Sequence, residues 1–203
     1  PHGERPGLWD GKERAVRPTV FLDRDGVINR GRPGYVRTPE AFEFLPGAIA
    51  GMRALQDAGW RLVVVTNQDV MGWKLVPDRQ LRRVHETMVR ALRKEGVALA
   101  EIYYCPHHVL SDCACRKPRP GMLLAAARDV GVNPRSAWMV GDKVLDVELG
   151  AAFGCRTAWV GSKRWRARFR EEMRPWHPDL VADSLGAAAE KIIRLGAGAT
   201  LPR

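Results

Sequence analysis

The stretch Asp23-Arg24-Asp25-Gly26 places two carboxylates one residue apart, directly after the apolar run Thr19-Val20-Phe21-Leu22. Carboxylates this close repel each other unless a cation lies between them. A hard divalent ion with oxygen ligands suits such a site, and Mg²⁺ is the expected one. A carboxylate can also be a nucleophile and form an aspartyl-phosphate. The plain alternative is an aspartate-rich turn, since Asp-Gly is a turn signal. Other stretches bring matching chemistry. Leu62 to Val65 runs into Thr66-Asn67-Gln68-Asp69. A hydroxyl with amides beside it can hold a phosphate oxygen. Arg116-Lys117-Pro118 offers a guanidinium that grips oxygens bidentately and an ammonium suited to a phosphate; the alternative is a solvated basic turn. Ala137 to Val140 ends in Gly141-Asp142-Lys143, with Asp146 one helical turn on. These are a third and a fourth carboxylate.

A second constellation lies between Cys105 and Cys115, which holds three of the four cysteines. Two close pairs of soft ligands, Cys105/His107 and Cys113/Cys115, flank a short loop. A Cys₃His set is a standard structural Zn²⁺ site, tetrahedral and closed. The spacings are tighter than a zinc finger's. His108 is an alternative to His107, and free thiols are the alternative to a metal. A zinc-pinned loop would hold Arg116 and Lys117 rigidly, because they follow the last cysteine at once.

These groups need a platform. Thr19 to Leu22, Leu62 to Val65, Glu101 to Tyr104, Ala137 to Val140 and Arg156 to Val160 read as short strands, with Leu180 to Ala182 a short edge strand. Helical spacing links Ile49, Met52 and Leu55, closed by Gly59. It recurs at Leu81, Val84, Met88 and Leu92 after Pro77-Asp78, at Met122, Leu123, Ala126 and Val130, and at Leu185, Ala188, Ala189, Ile192 and Ile193. His85 lies beside one stripe and reads as structural rather than catalytic. Cys155 reads as buried and inert, and Lys163 to Arg174 as a basic, partly helical surface segment. The expected fold is α/β, a doubly wound, mostly parallel sheet. In such sheets ligands bind beyond the carboxyl ends of the strands, where Asp23, Thr66 and Asp142 would meet. The segments after Asp25 and after Thr66 are short, so no large cap domain is expected. The expected organisation is a flexible leader over 1–17, one domain over 18–195 with its zinc loop at 105–115, and a tail over 196–203.

Hydrophobic residues make up 45% of the 203 positions, enough for a real core, and the net charge is +10. That balance suits an enzyme that gathers anionic substrates. It also permits a zinc-stabilised nucleic-acid-binding module, but the aromatics are few and scattered, so no stacking platform is visible. Such a module has no use for acids at three strand ends. No run of about 18 apolar residues suggests a membrane span, and the polar Pro1 to Arg17 segment is no secretory signal. The expected partner is a small phosphorylated sugar or alcohol, with no nucleic acid and no membrane, acting on a cytoplasmic monomer.

Taken together, Asp23-Arg24-Asp25-Gly26, Thr66, Lys117 and Gly141-Asp142 with Asp146 resemble, in order and spacing, the four motifs of the haloacid dehalogenase-like phosphatases. The cysteine cluster before Arg116-Lys117-Pro118 narrows the resemblance to the zinc-bearing branch. That branch includes D-glycero-D-manno-heptose 1,7-bisphosphate 7-phosphatases and histidinol-phosphate phosphatases. Gly34-Tyr35-Val36, Phe42-Glu43-Phe44, Ile102 to His108, and Pro120-Gly121-Met122-Leu123 look like the heptose enzymes. Asp69-Val70-Met71-Gly72-Trp73 and the short loop from His107 to Cys113 look closer to the histidinol-phosphate type. The resemblance implies Asp23 as nucleophile and Asp25 as general acid and base. It implies Mg²⁺ held by Asp23, the Asp25 backbone carbonyl and Asp142, with Asp146 behind them. Thr66, Asn67 and Lys117 would neutralise the phosphoryl oxygens, and Arg116 and Lys143 would reach the rest of the substrate. A heptose bisphosphate is the favoured substrate.

Overall fold

A computed structural model describes residues 17–33 and 35–196. Apart from Arg17 and Gly196, the expected leader and tail lie outside the described residues. Six strands form one sheet among them: β1 (Thr19–Leu22), β2 (Arg61–Asn67), β3 (Glu101–Cys105), β4 (Ala137–Gly141), β5 (Arg156–Val160) and β6 (Leu180–Ala182). Their order is β3-β2-β1-β4-β5-β6, and every pairing is parallel. The expected sheet is thus present, with no antiparallel strand among the described residues.

Parallel neighbours need crossover helices, and the apolar stripes supply them. The long ones are α1 (Ala48–Asp57), α3 (Asp78–Lys94), α4 (Gly121–Val130) and α5 (Val144–Phe153), and a further long helix, α8 (Leu185–Leu195), follows the last strand. Short turns α2 (Asp69–Gly72), α6 (Lys163–Arg168) and α7 (Arg170–Met173) complete the set. Successive strand side chains face opposite ways. Val20, Leu22, Leu62, Val64, Trp138 and Val140 therefore join a core with Met52, Leu55, Met88 and Ile192 on one face. Phe21, Val63, Val65, Ala137 and Met139 join Met122, Leu123, Ala126 and Leu149 on the other. Full burial of each large apolar side chain contributes roughly 1.5–3 kcal/mol, so the central strands form a stiff platform.

Topology then places the site. From β1 the chain winds outward through β2 and β3, returns to β4 on β1's other side, and continues to β5 and β6. The crevice where this direction reverses lies at the carboxyl end of β1. Asp23 is the first residue beyond that end, and its amide donates to the Val140 carbonyl on β4 (3.0 Å).

Candidate active site

Three carboxylates meet in the crevice. Oxygens of Asp23, Asp142 and Asp146 lie within 4.8 Å of one another, all in buried residues. Asp23 follows β1, Asp142 follows β4, and Asp146 lies in the first turn of α5. Two glycines make the approach possible. A Cβ on Gly26 would overlap the Asp142 carboxylate, and Gly26 also has a φ of +95°, which side-chain-bearing residues rarely adopt. A Cβ on Gly141 would overlap Asp146. The glycine of each motif thus leaves room for the acid of the last one.

Lys117 is the cation inside this cluster. Its Nζ lies 2.8 Å from Asp23 Oδ1 and 2.7 Å from Asp146 Oδ1, and donates to the Val65 carbonyl at 3.0 Å. Burial disfavours its charge, but Asp146 and Asp23 outweigh this and raise its pKa. Asp146 is committed on both oxygens, because Oδ2 accepts from the Lys143 amide (3.1 Å) and so caps α5. Asp142 is different: its Oδ1 is buried without a hydrogen-bond partner. Burial, and then the charge of Asp23, hold its pKa well above the ordinary value. A buried acid with an unpartnered oxygen, beside a second carboxylate, fits a hard divalent cation. Asp23 and Asp142 could hold it, with Asp146 beside them in contact with Lys117.

The Asp25 side chain is engaged elsewhere. Oδ1 accepts from Asn29 (2.9 Å), and Oδ2 accepts from Arg24 (2.8 Å) and Gln68 (3.0 Å). Burial pushes its pKa up, but Arg24 and these hydrogen bonds outweigh it and leave it lowered. Thr66 is buried at the end of β2, its hydroxyl oxygen accepting from Gln68 (3.0 Å) while its own proton stays available. The Asn67 side chain clamps the Lys117 backbone, donating to its carbonyl (3.2 Å) and accepting from its amide (3.0 Å).

Above these groups opens a cavity of about 880 Å³. Arg30, Arg32, Arg116 and Lys143 line it, with Tyr35 and Trp165. Arg116 forks onto Asp69, to whose second oxygen its Nη2 donates at 2.9 Å. Tyr35 reaches the same carboxylate at 3.4 Å. Arg30 and Arg32 share Glu43, at 3.2 and 3.4 Å.

The cysteine loop sits beside Lys117. Cys105 ends β3, and the ligand atoms of Cys105, His107, Cys113 and Cys115 lie within 4.8 Å of one another. Cys105 Sγ is 3.7 Å from Cys113 Sγ and 3.5 Å from His107 Nδ1, which is 3.2 Å from Cys115 Sγ. Tetrahedral zinc with about 2.3 Å Zn–S bonds has S–S edges of about 3.7 Å, so the set fits that ion. His108 is turned to other partners: its ring meets Trp73 at 3.9 Å, and Nδ1 accepts from the Leu110 amide. The expected His107 is therefore the histidine in the cluster.

The structure adds residues that the sequence reading passed over. Gln68 joins Thr66 to Asp25, and the signal was its position two residues along the same strand end. Arg24, which stands between the two acids of the first motif, is fully buried. The indoles of Trp159 and Trp165 both donate to the Asp142 carbonyl, each at 3.0 Å. Nothing in the spacing of Trp165 pointed to that. His85, read as structural, is buried against Arg24, at 3.0 Å.

Comparison with known proteins agrees with this geometry. Residues 114–188 match a family model described as HAD-hydrolase-like. A D-glycero-beta-D-manno-heptose-1,7-bisphosphate 7-phosphatase of Pasteurella multocida is 40% identical over 141 residues, 66% of this chain and 76% of that protein. The protein of the same name from Bordetella bronchiseptica is 33% identical over 86% of this chain and 97% of its own length. Among solved structures, D,D-heptose 1,7-bisphosphate phosphatase from B. bronchiseptica, complexed with magnesium and phosphate, superposes with a TM-score of 0.81. The match covers 87% of this chain and 98% of that one at 33% identity. The enzyme of that name from Burkholderia thailandensis gives 0.63 at 28% identity, covering 86% and 97%. No helix among the described residues is long and apolar enough to cross a membrane. With its strand-end acids, its buried lysine and relatives this similar over most of their length, the chain belongs to the haloacid dehalogenase-like phosphatases, in the group that holds the heptose bisphosphate phosphatases.

Proposed function

We propose that the chain removes the 7-phosphate of D-glycero-D-manno-heptose 1,7-bisphosphate through an aspartyl-phosphate on Asp23. One arrangement carries the reading. The Lys117 ammonium touches both Asp23 and Asp146, while Asp142 keeps a buried oxygen unpartnered. Phosphoryl transfer is mostly positioning and charge stabilisation, and this cluster supplies both. A carboxylate oxygen of Asp23 attacks phosphorus as the ester P–O bond breaks, and Asp25 gives its proton to the departing alkoxide. Asp25 then takes a proton from water, whose oxygen attacks phosphorus and breaks the bond to Asp23. Phosphate leaves and Asp23 is restored. The resting Asp25, its pKa lowered, is the ionised form; a phosphate dianion bound beside it raises its proton affinity and readies it as the acid. Thr66, the Asn67 amide and Lys117 hold the phosphoryl oxygens. Mg²⁺ on Asp23, Asp142 and the Asp25 carbonyl, with Asp146 behind, supplies further charge neutralisation when bound.

Zinc in this reading is structural, because Cys105, His107, Cys113 and Cys115 leave no open position. Its thiols are unpaired with one another as disulfides, which suits a reducing cytoplasm. The site is complete within one chain, which supports a monomer. The second phosphate would meet Arg116, Lys143 and the Arg30–Arg32 pair. Histidinol phosphate, the competing substrate, brings an amine that needs a free acid. Asp69 is committed to Arg116, Asp183 at the cavity's edge pairs with Arg166 (2.7 Å), and Asp112 pairs with Arg119 (2.6 Å) and does not line the cavity. The two substrates, offered separately with Mg²⁺, test the choice. The expected kcat/KM is higher for a heptose 1,7-bisphosphate anomer; a higher value for histidinol phosphate overturns it.

A further inference from the structure

We propose that His85, on α3, is a positioning residue for Asp25, acting through Arg24; the inference rests on the phosphatase reading. Three donors hold the Asp25 carboxylate, and each needs an anchor of its own. Asn29 also donates to the Arg30 carbonyl (3.1 Å), and Gln68 to the Thr66 hydroxyl (3.0 Å). Arg24 is anchored from a distance. Its Nη2 donates to Asp25 Oδ2, and its Nη1 lies 3.0 Å from Nε2 of His85, 61 residues along the chain.

Arg24 is 0% exposed, so water offers no replacement partner. Its Nε is already buried without an acceptor. Removing the acceptor on Nη1 would strand a second donor of the same guanidinium, a costly state. Arg24 would then shift to seek a partner and carry Asp25 with it. Nη1 can only donate, so His85 Nε2 is the acceptor and the ring is neutral, with its proton on Nδ1. Burial, and then the charge of Arg24, push the His85 pKa down to about 3, which agrees. The ring is held edge-on to Tyr104 (centroids 5.4 Å), whose hydroxyl donates to Asp78 (2.8 Å) at the start of α3. The long helix α3 thereby sets the place of the catalytic acid, although it carries no group that faces the cavity.

The length of the side chain provides a test. Glutamine can put its amide oxygen near the place of Nε2, whereas asparagine reaches only as far as Nδ1. His85→Gln and His85→Asn should therefore differ, although both replace the ring by an amide. kcat/KM, which reports leaving-group departure, is measured at saturating Mg²⁺ on heptose bisphosphate and on p-nitrophenyl phosphate. An alkoxide needs a proton to leave, and nitrophenolate does not. His85→Asn should lose about 10-fold or more on the sugar ester, a part of the ~10²–10⁴-fold that acid catalysis supplies, and clearly less on the aryl ester. His85→Gln should recover most of the loss. Should His85→Asn fail to fold, His85→Phe keeps the ring volume against Tyr104 and should show the same ester preference. Equal losses on both esters, or equal values for the two amide variants, overturn the inference while the phosphatase reading stands. Wild-type protein that hydrolyses neither ester would sink both.

Discussion

The strand-end acids and the cysteine loop are both clusters of like-charging ligands, yet the protein treats them differently. The acids grow from buried strands and carry a cation of their own, Lys117, in contact with two of them. The thiols hang on a segment that has no helix or strand between Cys105 and Gly121, where it is the backbone of Arg116, not its guanidinium, that bonds to Cys113. Burial raises the Cys105 thiol to about 12, so ionising it needs an outside charge. A site assembled on a sheet holds its shape before its metal arrives; one assembled on a loop relies on its metal for shape. The two are joined, because Arg116 and Lys117 follow Cys115 directly and Asn67 grips the Lys117 backbone.

The largest expected effect falls on chemistry alone. Asp23→Asn should lower turnover by about 10³-fold or more, as loss of a nucleophile does. The fold should stay intact, because the sheet below is untouched and Lys117 keeps Asp146 as its partner. Substantial residual activity with Mg²⁺ present would mean that another group is the nucleophile. Cys113→Ser should instead strike structure first. We expect loss of zinc, faster hydrogen exchange over 106–118, and activity lowered about 10-fold or more as Lys117 loosens. Wild-type protein prepared without chelators and found free of zinc would remove the basis for the contrast.

A third experiment turns the acid site into something like the thiol site. Lys117→Met removes the internal cation and leaves Asp23, Asp142 and Asp146 crowded in a buried space. At one fixed Mg²⁺ concentration the ion should then protect the variant against melting more than it protects wild type, by about 1.4 kcal/mol for each tenfold tightening of the dissociation constant. Equal protection would show that Lys117 does not serve as counter-ion to the acids.

The most gradual effect, spread over several pH units, concerns acid stability. His85 ordinarily titrates at 6.5, and in the folded chain near 3. The unfolded chain takes up the proton first as pH falls. The stability held by the neutral ring is therefore complete above about 6.5 and is lost toward 3, at up to about 1.4 kcal/mol per pH unit. His85→Gln lacks this titration. Denaturant unfolding between pH 6.5 and 4 should show wild type falling more steeply than the variant by that slope. Parallel curves would place a charged ring in the folded protein.

Most of the frame was legible because local signals agreed with one another. The apolar run before Asp23, the helical stripe after Pro77-Asp78 and Gly59 after α1 each matched the element found. The zinc set was legible too, since Cys105/His107 and Cys113/Cys115 lie close in the chain. What escaped were pairings across long separations and through side chains that spacing does not mark. Nothing in the spacing paired Asp69 with Arg116, 47 residues on, which the fold lays across it. Asp146 stands beside the other two acids, and spacing did not show that its oxygens also meet the Lys117 ammonium and the Lys143 amide. The short turn α2 was hidden in Asp69-Val70-Met71-Gly72, too brief for any periodicity to appear.

The sequence by itself determined the chemistry available: four acids, a lysine, a hydroxyl and a Cys₃His set, each at a recognisable break in apolar patterning. It also determined the sheet, because alternation and stripe period depend on residues only a few positions apart. Tertiary structure alone decided which charges meet. The order β3-β2-β1-β4-β5-β6 brings residues 23, 66, 117, 142 and 146 into one crevice. It also lays His85 on Arg24 and Arg116 on Asp69. A charge acts through distance in space, and distance along the chain sets that only for near neighbours.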